Sequence, residues 1–536
     1  MKHSVKRIIA LLFILCFASG CYQGGSILTS PTPSHGGVNP PGQTAMPKQG
    51  GSITIAMPQE PYTTHPLFLK EVEMSNIYSM VFDPLIALDA QMLPAVSIAN
   101  GWEMAESGEV TVRLRSGVRF HDNTELTSSD VVFTFNKILS SPTSIYYSLV
   151  NKYVLSVEAK DRDTVVFTPR IASYAFYYAL NVPIIPEALY SGVDNKTDII
   201  PIGTGSFAVG TLDVGPSSEM ELVRNAYWWK KQPYIEKIHA VGFKDNNDAI
   251  EAFIRGELDC VPTAIYTTDI YDSYDGVSCY SYMSNYYDFL APNLKNKALA
   301  EVNVRRAISY AIDRKSIIAN IYVNHGITME YPFASDFAFD NGDIIRYDHS
   351  LQQATALLDS AGWVMGDDSL RHKNGHKLSF KLITIRNDDN PVRRDSAQML
   401  ARQLAPLGIS ITIEVLNKSE LEKALQRGDF DLLLTGYYLS DSPDLSFAFH
   451  SQGSGNVMNY SDPHCNELLD TLNAARTRDE YSAAYGELQL YISQQLPQIG
   501  LMGISQTLLH KDTLVPTGIY RDLRVYQNID KWYLTN

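Results

Sequence analysis

The alternation of apolar and polar residues predicts β-strands early in the folded part of the chain. Residues 52–56, 111–115 and 163–168 each alternate in this way, as strands with one buried face do. Between the last two of these segments, Thr127 lies three residues before Asp130, which is the spacing of a helix capping box. An apolar stripe follows directly, so a helix is predicted to begin here.

The second half of the chain carries helical periodicity and then alternates helix with strand. Two of its helical patterns stop at a glycine, Gly362 or Gly408, which is typical of a helix end. Helices are expected at residues 305–322, 351–361, 396–407 and 419–427, and strands at 409–413 and 430–434. This alternation predicts an α/β fold with helices packed on a sheet.

The first twenty residues are predicted to be an export signal. Three basic residues precede an uncharged apolar run over residues 8–18, which suits a secretory signal and is too short to span a bilayer. The small residues before Cys21 resemble the lipobox of bacterial lipoproteins, although Ala18 stands where Leu is usual. The resemblance implies that residues 1–20 are a lipoprotein signal peptide and that Cys21 carries a lipid. A plain signal peptide with an incidental cysteine is the alternative.

A flexible linker is predicted between Cys21 and the folded body. Residues 22–50 contain 17 Gly, Pro, Ser or Thr among 29 positions, with one formal charge. Such a composition cannot bury enough apolar surface to offset its ordering entropy. Residues 21–50 are therefore interpreted as a lipidated cysteine and its linker, which hold the body at the extracytoplasmic face of the cell membrane.

Charge and cysteine content narrow the classes of partner and the internal cross-links. The formal charge is −15 for the whole chain and −18 once the three basic residues of the signal are removed. Nucleic-acid binding needs a basic face, so nucleic acid is not expected as a partner. Cys260, Cys279 and Cys465 remain in the body. A Cys260–Cys279 disulfide and three buried free thiols are both open at this point.

Sequence motifs for catalysis, cofactors or metal ions are missing. The chain has no G-x-S-x-G, no H-E-x-x-H and no Walker A motif, and the dinucleotide-binding glycine pattern fails at Ala208. His372 and His376 have the spacing of helical metal ligands, but Asn374-Gly375 between them predicts a tight hairpin. A hairpin places the two imidazoles on opposite strands, so we expect no metal site there. Together with the missing motifs, this leads us to expect a protein with no enzyme activity, no cofactor and no metal site.

A series of short segments resembles extracytoplasmic solute-binding protein family 5, the large binding lipoproteins of peptide and nickel ABC importers. In chain order the segments are Val81-Phe82-Asp83-Pro84-Leu85-Ile86, Leu93-Pro94-Ala95, Gly101-Trp102, Arg113-Leu114-Arg115, Phe120-His121-Asp122, Pro201-Ile202-Gly203-Thr204-Gly205-Ser206-Phe207, Arg224-Asn225-Ala226-Tyr227-Trp228, Gly256-Glu257-Leu258-Asp259, Val304-Arg305-Arg306-Ala307-Ile308, Ala311-Ile312-Asp313-Arg314, Leu357-Leu358-Asp359-Ser360-Ala361-Gly362-Trp363 and Gly428-Asp429-Phe430-Asp431. Asn123 stands where the family usually has Gly, and Asn tolerates the positive φ of such a turn.

The resemblance implies an α/β, bilobal periplasmic-binding-protein-like fold of type II, cluster C, with an extra subdomain in the N-terminal lobe. Lobe I maps to residues 51–90, 196–295 and 506–536, the extra subdomain to 91–195, and lobe II to 296–505. Ligand is expected to contact both lobes and to favour their closure about a hinge.

The same resemblance implies a role in transport. A monomeric binding protein is expected to capture extracellular oligopeptides and to deliver them to the permease subunits of an ABC transporter. Another solute bound by the same fold, such as a nickel chelate or an oligosaccharide, is the alternative, and a peptide-sensing receptor is a third possibility.

The ligand site is predicted in the loop that follows the Gly428-Asp429-Phe430-Asp431 segment. In peptide-binding relatives an Asp of this region pairs with the free amino group of the peptide, and Asp441 is the candidate here, with Asp444 second. A buried ammonium needs such a carboxylate. Tyr437, Tyr438 and Ser440 are candidate ligand contacts beside it. The loop is one residue shorter than in dipeptide binders, so an ordinary turn Asp is the alternative for Asp441.

Overall fold

The computed structural model describes residues 47–535, apart from 194–198, 265–270, 272, 333–338, 340–343, 388–390, 520–521 and 523. The predicted signal peptide, Cys21 and most of the linker therefore lie outside the described residues. The α-helices are α1 (Val72–Val81), α2 (Ser128–Leu139), α3 (Tyr147–Tyr153), α4 (Glu187–Tyr190), α5 (Asn246–Ile254), α6 (Lys297–Ala300), α7 (Val302–Ala311), α8 (Arg314–Ile321), α9 (Leu351–Ser360), α10 (Val392–Leu404), α11 (Lys418–Arg427), α12 (Ser446–Phe449), α13 (Pro463–Ala474) and α14 (Arg478–Gln495).

The strands alternate with these helices along much of the chain, which gives the mixed α/β class that the sequence predicts. They are β1 (Ser52–Pro58), β2 (Ile86–Leu88), β3 (Pro94–Val96), β4 (Ala99–Met104), β5 (Val110–Leu114), β6 (Val154–Asp161), β7 (Thr164–Pro169), β8 (Phe207–Asp213), β9 (Glu219–Arg224), β10 (Lys237–Phe243), β11 (Cys260–Thr263), β12 (Val277–Pro292), β13 (Gly326–Thr328), β14 (Val364–Met365), β15 (Arg371–Lys373), β16 (His376–Lys377), β17 (Ser379–Ile385), β18 (Ser410–Leu416), β19 (Leu432–Tyr438), β20 (Ile499–Lys511), β21 (Leu514–Val515) and β22 (Tyr533–Leu534). Three-residue or longer 3₁₀ segments lie at Tyr174–Leu180, Ala405–Leu407 and Ile529–Lys531.

The two long strands β12 and β20 connect the two halves of the main sheet. The order of this sheet is β18-β17-β19-β12-β20-β11-β1-β10-β9-β8, and β13 also pairs with β20. Strand β12 pairs with β19 over its later residues and with β20 at both of its ends. Its register to β20 shifts between Met283 and Tyr287, which is where the neighbours of the strand change. The described halves therefore share one continuous pair of strands.

A smaller sheet of order β4-β5-β7-β6 lies within residues 91–195, the range predicted for the extra subdomain. Helix α2 packs on β6, and it begins at the predicted position. Thr127 caps it, and the Asp130 carboxylate accepts the Thr127 N–H at 2.9 Å, which completes a capping box. The lobe boundaries themselves stay a prediction, and the 505/506 boundary falls inside β20.

The helix predicted over residues 305–322 is wrong in one respect, because the chain forms two helices there. Helix α7 ends at Ala311 and α8 begins at Arg314. Asp313 stands at the break, where its carboxylate accepts the Ser316 N–H at 3.1 Å and so caps α8. The apolar spacing continues across the break, which is why periodicity alone indicates a single helix.

The structure shows Cys260, Cys279 and Cys465 as thiols, so the Cys260–Cys279 disulfide is not formed. Cys260 on β11 and Cys279 on β12 pair with opposite sides of β20. Two strand spacings separate them by about 10 Å, beyond the roughly 7 Å that a disulfide bridges. Burial raises the pKa of the Cys260 thiol to about 12.

Candidate ligand cavity

A cavity of about 890 Å³ lies between two groups of elements in the described part of the chain. Helices α1 and α3 and the C-terminal segment around Arg524 line one wall. The end of β19 and the loop that follows it line the other, together with residues up to Ser454. Ligand sites commonly measure about 300–1,000 Å³, so the cavity has room for a ligand of several residues.

The cavity lining includes the predicted anchor Asp441. Its carboxylate forms an ion pair with the Arg524 guanidinium, and the Asn285 amide nitrogen lies 3.5 Å from its other oxygen. About a quarter of the Asp441 side chain is exposed, at 26 %. The carboxylate is therefore open to the cavity, and its main partner comes from the opposite wall.

Polar groups from distant segments surround the Asp441–Arg524 pair. In the amide orientation that satisfies both groups, the Asn181 oxygen accepts from the two terminal nitrogens of Arg524 at 3.0 and 2.7 Å. Desolvation raises the pKa of Tyr146 to about 12, and the nearby Arg524 charge opposes that rise while Asp441 adds to it. The Asp441–Arg524 pair is thus surrounded by polar groups from segments that are far apart in the sequence.

The two candidate tyrosines lie on opposite faces of β19. Tyr438 lines the cavity, and its ring packs edge-on against Tyr286 with 5.0 Å between centroids. Desolvation raises the pKa of the Tyr438 hydroxyl. Tyr437 lies outside the described cavity lining, where its hydroxyl donates to the Gly455 carbonyl at 2.8 Å and its ring packs on Phe289 at 4.3 Å. Successive side chains of a strand point to opposite faces, so Tyr438 lines the cavity and Tyr437 packs behind it against Phe289.

The remaining candidates of the loop also lie in the cavity wall. The Ser440 hydroxyl donates to the Ser442 carbonyl at 3.2 Å, which shapes the loop. Asp444 forms an ion pair with Lys152 of α3, across the cavity. The structure thus brings Tyr438, Ser440, Asp441 and Asp444 to one wall.

Sequence reasoning missed the residues that contact the acids of the loop, which are Lys152 and Arg524 of the opposite wall and Asn285 of β12, the strand beside β19. Lys152 and Arg524 are separated from the loop by 292 and 83 positions, and Asn285 by 156. None of the three lies in a motif, and each becomes a neighbour only through the fold. Local patterns carry no signal for such pairs.

Several of the family-like segments meet at a different place, around Asp83. We call Asp83, Thr204, Trp228, Trp229 and Lys230 the Asp83 cluster. One carboxylate oxygen accepts from the Thr204 hydroxyl at 3.1 Å and from the two indoles at 3.2 and 2.8 Å, and Lys230 lies 3.2 Å from the other oxygen. The side chain of Asp83 is 8 % exposed.

The glycine turn beside this cluster allows a close approach to α1. A Cβ at Gly203 or Gly205 would lie 2.1 Å from the Val81 carbonyl or 2.2 Å from the Met80 carbonyl. His121 bridges the same turn, since its Nδ1 accepts the Gly203 N–H at 3.2 Å and its Nε2 donates to the Gly205 carbonyl at 3.1 Å. These motif residues serve internal packing rather than the cavity.

The paired histidines form the predicted hairpin. Asn374 and Gly375 have φ of 49° and 76°, so they make the tight turn between β15 and β16. His372 pairs with Lys377 across the hairpin, and His376 pairs with Lys373. Among the described residues, no group of three or more acidic, His or Cys side chains is arranged to hold a metal ion.

Comparison with known proteins places these features in a family. A family model described as "Bacterial extracellular solute-binding proteins, family 5 Middle" matches residues 94–459. The oligopeptide-binding protein AppA of Bacillus subtilis is 26 % identical over 554 aligned residues, covering 99 % of each chain. The nickel-binding periplasmic protein of Escherichia coli is 24 % identical over 66 % of this chain and 69 % of that protein.

The fold is also that of a solved structure in this group. The structure of AppA from Bacillus subtilis in complex with a nonapeptide matches with a TM-score of 0.65 at 24 % identity, covering 91 % of this chain and 100 % of that chain. The predicted α/β bilobal binding-protein fold is thereby confirmed. The relatives are transport binding proteins rather than enzymes, which agrees with the lack of catalytic motifs.

The two comparisons agree with each other. One relative is similar along almost its whole length, and the family model matches most of the chain. The chain therefore belongs to family 5 of the bacterial extracellular solute-binding proteins, which serve ABC importers of peptides or nickel chelates.

Proposed function

We propose that this protein captures oligopeptides outside the cytoplasm and delivers them to the permease of an ABC importer. The observation that carries the proposal is the position of Asp441, a partly exposed carboxylate in the wall of an 890 Å³ cavity. The similarity to an oligopeptide-binding protein over 99 % of both chains supports the peptide as ligand.

In this function Asp441 binds the free ammonium of the peptide. The Arg524 guanidinium already orients the Asp441 carboxylate toward a cation, so an incoming ammonium takes the place of Arg524 and the carboxylate stays paired. Tyr438 and Ser440 contact the bound peptide beside it, since both line the cavity. Tyr437 supports the wall from behind through its hydrogen bond to Gly455.

Attachment to the membrane is proposed to depend on Cys21 and the linker. No helix of the described residues is both long and apolar enough to cross a bilayer. A lipid on Cys21 with a linker of 29 residues keeps the monomeric body at the extracytoplasmic face, within reach of the permease. Replacing Cys21 by Ser is expected to release the protein from the membrane fraction, and full retention of the variant would contradict the anchor.

A ligand screen separates peptide capture from the alternatives. The Cys21→Ser full-length chain is heated with pools of peptides of about two to ten residues, with nickel chelates or with oligosaccharides. A ligand present at a hundred times its Kd stabilises the native state by about 2.7 kcal/mol, so a rise in Tm with peptide pools is expected. A rise with nickel chelates or oligosaccharides and none with any peptide pool would overturn the proposal.

A further inference from the structure

A set of contacts joins the two walls of the cavity at a place outside the described cavity lining. The Tyr174 N–H donates to the Ala475 carbonyl at 2.8 Å, and the Arg476 guanidinium donates to the Glu106 carbonyl at 2.9 Å. The Tyr174 ring also packs on the Tyr481 ring, with 5.6 Å between centroids. We call Glu106, Tyr174, Ala475, Arg476 and Tyr481 the outer contact, and none of the five is among the described residues that line the cavity.

The two sides of the outer contact belong to opposite walls. Tyr174 begins a 3₁₀ segment whose Tyr178 lines the cavity on the wall of α1 and α3. Ala475 follows α13, where the Asn473 amide donates to the hydroxyl of Ser446 in the other wall at 3.1 Å. Moving the walls apart therefore breaks the outer contact, although it lies outside the space that a ligand occupies.

Each side of the outer contact is also held by hydrogen bonds of its own. On one side, a Glu480 carboxylate oxygen accepts the backbone N–H of Arg476 at 2.9 Å, at the start of α14. On the other side, Glu106 lies in the tight turn between β4 and β5, where the Ala105 N–H donates to the Glu109 carbonyl at 2.8 Å. Surfaces that are ordered before they meet lose little conformational entropy on contact, so even two hydrogen bonds favour the closed arrangement.

The charges inside the cavity permit the same closure. Asp441 pairs with Arg524 and Asp444 pairs with Lys152, and in each pair the two partners come from opposite walls. Closing the walls therefore leaves both carboxylates with a counter-ion, and closure needs no charge from a ligand.

We propose that the outer contact is a latch, which holds the walls together both with and without a ligand, so that the closed form predominates in the free protein as well. This inference rests on the peptide-binding function proposed above. A peptide enters and leaves only when the walls separate, so such a latch slows both steps by the same factor. The Kd is the ratio of the two rates and stays unchanged. Arg476 and Tyr174 are thus positioning residues that set the rates of peptide exchange.

The first test needs no ligand. The Tyr174 N–H is bonded across the walls, so in hydrogen exchange of the full-length Cys21→Ser chain it exchanges only when the outer contact opens. Arg476→Ala removes the bond to Glu106 and keeps the backbone bond to Glu480. The variant is expected to speed exchange at Tyr174 about fivefold, which is the effect of losing one hydrogen bond at an exposed position. An unchanged exchange rate at Tyr174 would overturn the latch.

The second test measures association and dissociation rates by surface plasmon resonance, with the tightest-binding peptide of the ligand screen proposed above. Arg476→Ala is expected to raise both rates about fivefold and to leave the Kd within about twofold. Tyr174→Pro removes the other hydrogen bond between the walls and suits the first position of the 3₁₀ segment, so it is expected to act in the same direction. Arg255→Ala is the matched control, because the exposed Arg255 pairs with Glu251 and Glu257 of its own segment, and it is expected to change neither the rates nor the exchange.

The outcomes separate the latch from the peptide-binding function. If no peptide binds the wild-type chain, the peptide-binding function fails, and exchange at Tyr174 alone decides on the latch. If peptides bind and the Arg476→Ala rates equal those of wild type, the latch is overturned while peptide binding stands. If dissociation alone becomes faster and the affinity falls by the same factor, the contact forms only around a bound peptide, and a latch that acts without a ligand is overturned.

Discussion

Two regions of this protein hold a carboxylate among hydrogen-bond donors, and they differ in where those donors come from. The donors to Asp83 are four residues between Thr204 and Lys230, and the acid itself follows α1. The whole cluster is therefore packed within one part of the molecule. Asp441 receives its guanidinium from the opposite wall of a cavity. A carboxylate of the first kind holds a fold together, whereas one of the second kind is available for exchange with a ligand.

The largest effect that tests this comparison is expected at Asp83. Asp83→Asn removes the charge that three neutral donors and Lys230 surround, and it turns an N–H₂ group toward them, so we expect a loss of about 3 kcal/mol in the free energy of unfolding. Chemical denaturation measures it. The peptide affinity of the folded protein is expected to stay within about twofold.

Asp429→Asn is the matched control for Asp83→Asn. Asp429 pairs with Lys381 at the surface, where 64 % of its side chain is exposed. An exposed pair contributes at most about 1 kcal/mol, so the control is expected to change stability little. Equal losses for the two variants would remove the distinction between the Asp83 cluster and an ordinary surface pair.

The opposite pattern is expected at Asp441. Asp441→Asn is expected to weaken binding of peptides with a free amine by about tenfold or more, because the ammonium loses its counter-ion, and to weaken N-acetylated peptides far less. Calorimetric titration of both forms checks this. The unfolding free energy is expected to change much less than in Asp83→Asn, since the Arg524 guanidinium keeps Asn181 as a partner. Equal weakening of both peptide forms would exclude Asp441 as the amine anchor.

The contrast also explains how much the sequence could predict. The segments that identify the family include Asp83, His121, Gly203-Thr204-Gly205 and Trp228, and these meet in one packed region. Packing of that kind demands particular residues at particular places, so it leaves motifs. The fold class and the position of the loop at Asp441 follow from such motifs.

The opposite wall of the cavity leaves no comparable trace. Lys152 and Arg524 are far from the loop in sequence and contact it only in the folded protein, where β12 and β20 connect the two halves of the sheet. Their side chains end in a roomy cavity, where many residue types fit. The break at Asp313 was missed for a related reason, because the capping bond to Ser316 competes with an uninterrupted apolar spacing.

A pH dependence is expected from the region around Asp83. Desolvation lowers the pKa of His121 to about 4 from an ordinary value of 6.5, and it outweighs the hydrogen bond to the Gly205 carbonyl and the charges of Asp83 and Asp122, which raise the pKa. The unfolded chain therefore binds a proton that the folded chain refuses between these values. Stability is fully present above about pH 6.5 and is lost as the pH falls toward 4.

His121→Gln isolates this contribution, because a Gln amide can donate to one carbonyl and accept one N–H without titrating. We expect the variant to lose less stability than wild type between pH 7 and pH 4.5 in chemical denaturation. Part of the slope remains, since desolvation also lowers the pKa of His65 to about 4. An equal slope in His121→Gln and in wild type would contradict the assignment, and exposed His376→Gln is the control.

The smallest effects are expected at Tyr437 and Tyr438, neighbours in sequence that fall on opposite sides of the comparison. Tyr437→Phe removes the hydrogen bond to Gly455 and is expected to lower the unfolding free energy by about 1 kcal/mol without changing peptide affinity. Tyr438→Ala removes a ring from the cavity wall and is expected to weaken peptide binding instead. Denaturation and calorimetric titration of both variants measure the two quantities separately. A loss of affinity in Tyr437→Phe as large as in Tyr438→Ala would mean that packing behind the cavity wall also determines peptide binding. The face of β19 on which a side chain lies would then not separate residues that stabilise the fold from residues that bind the ligand.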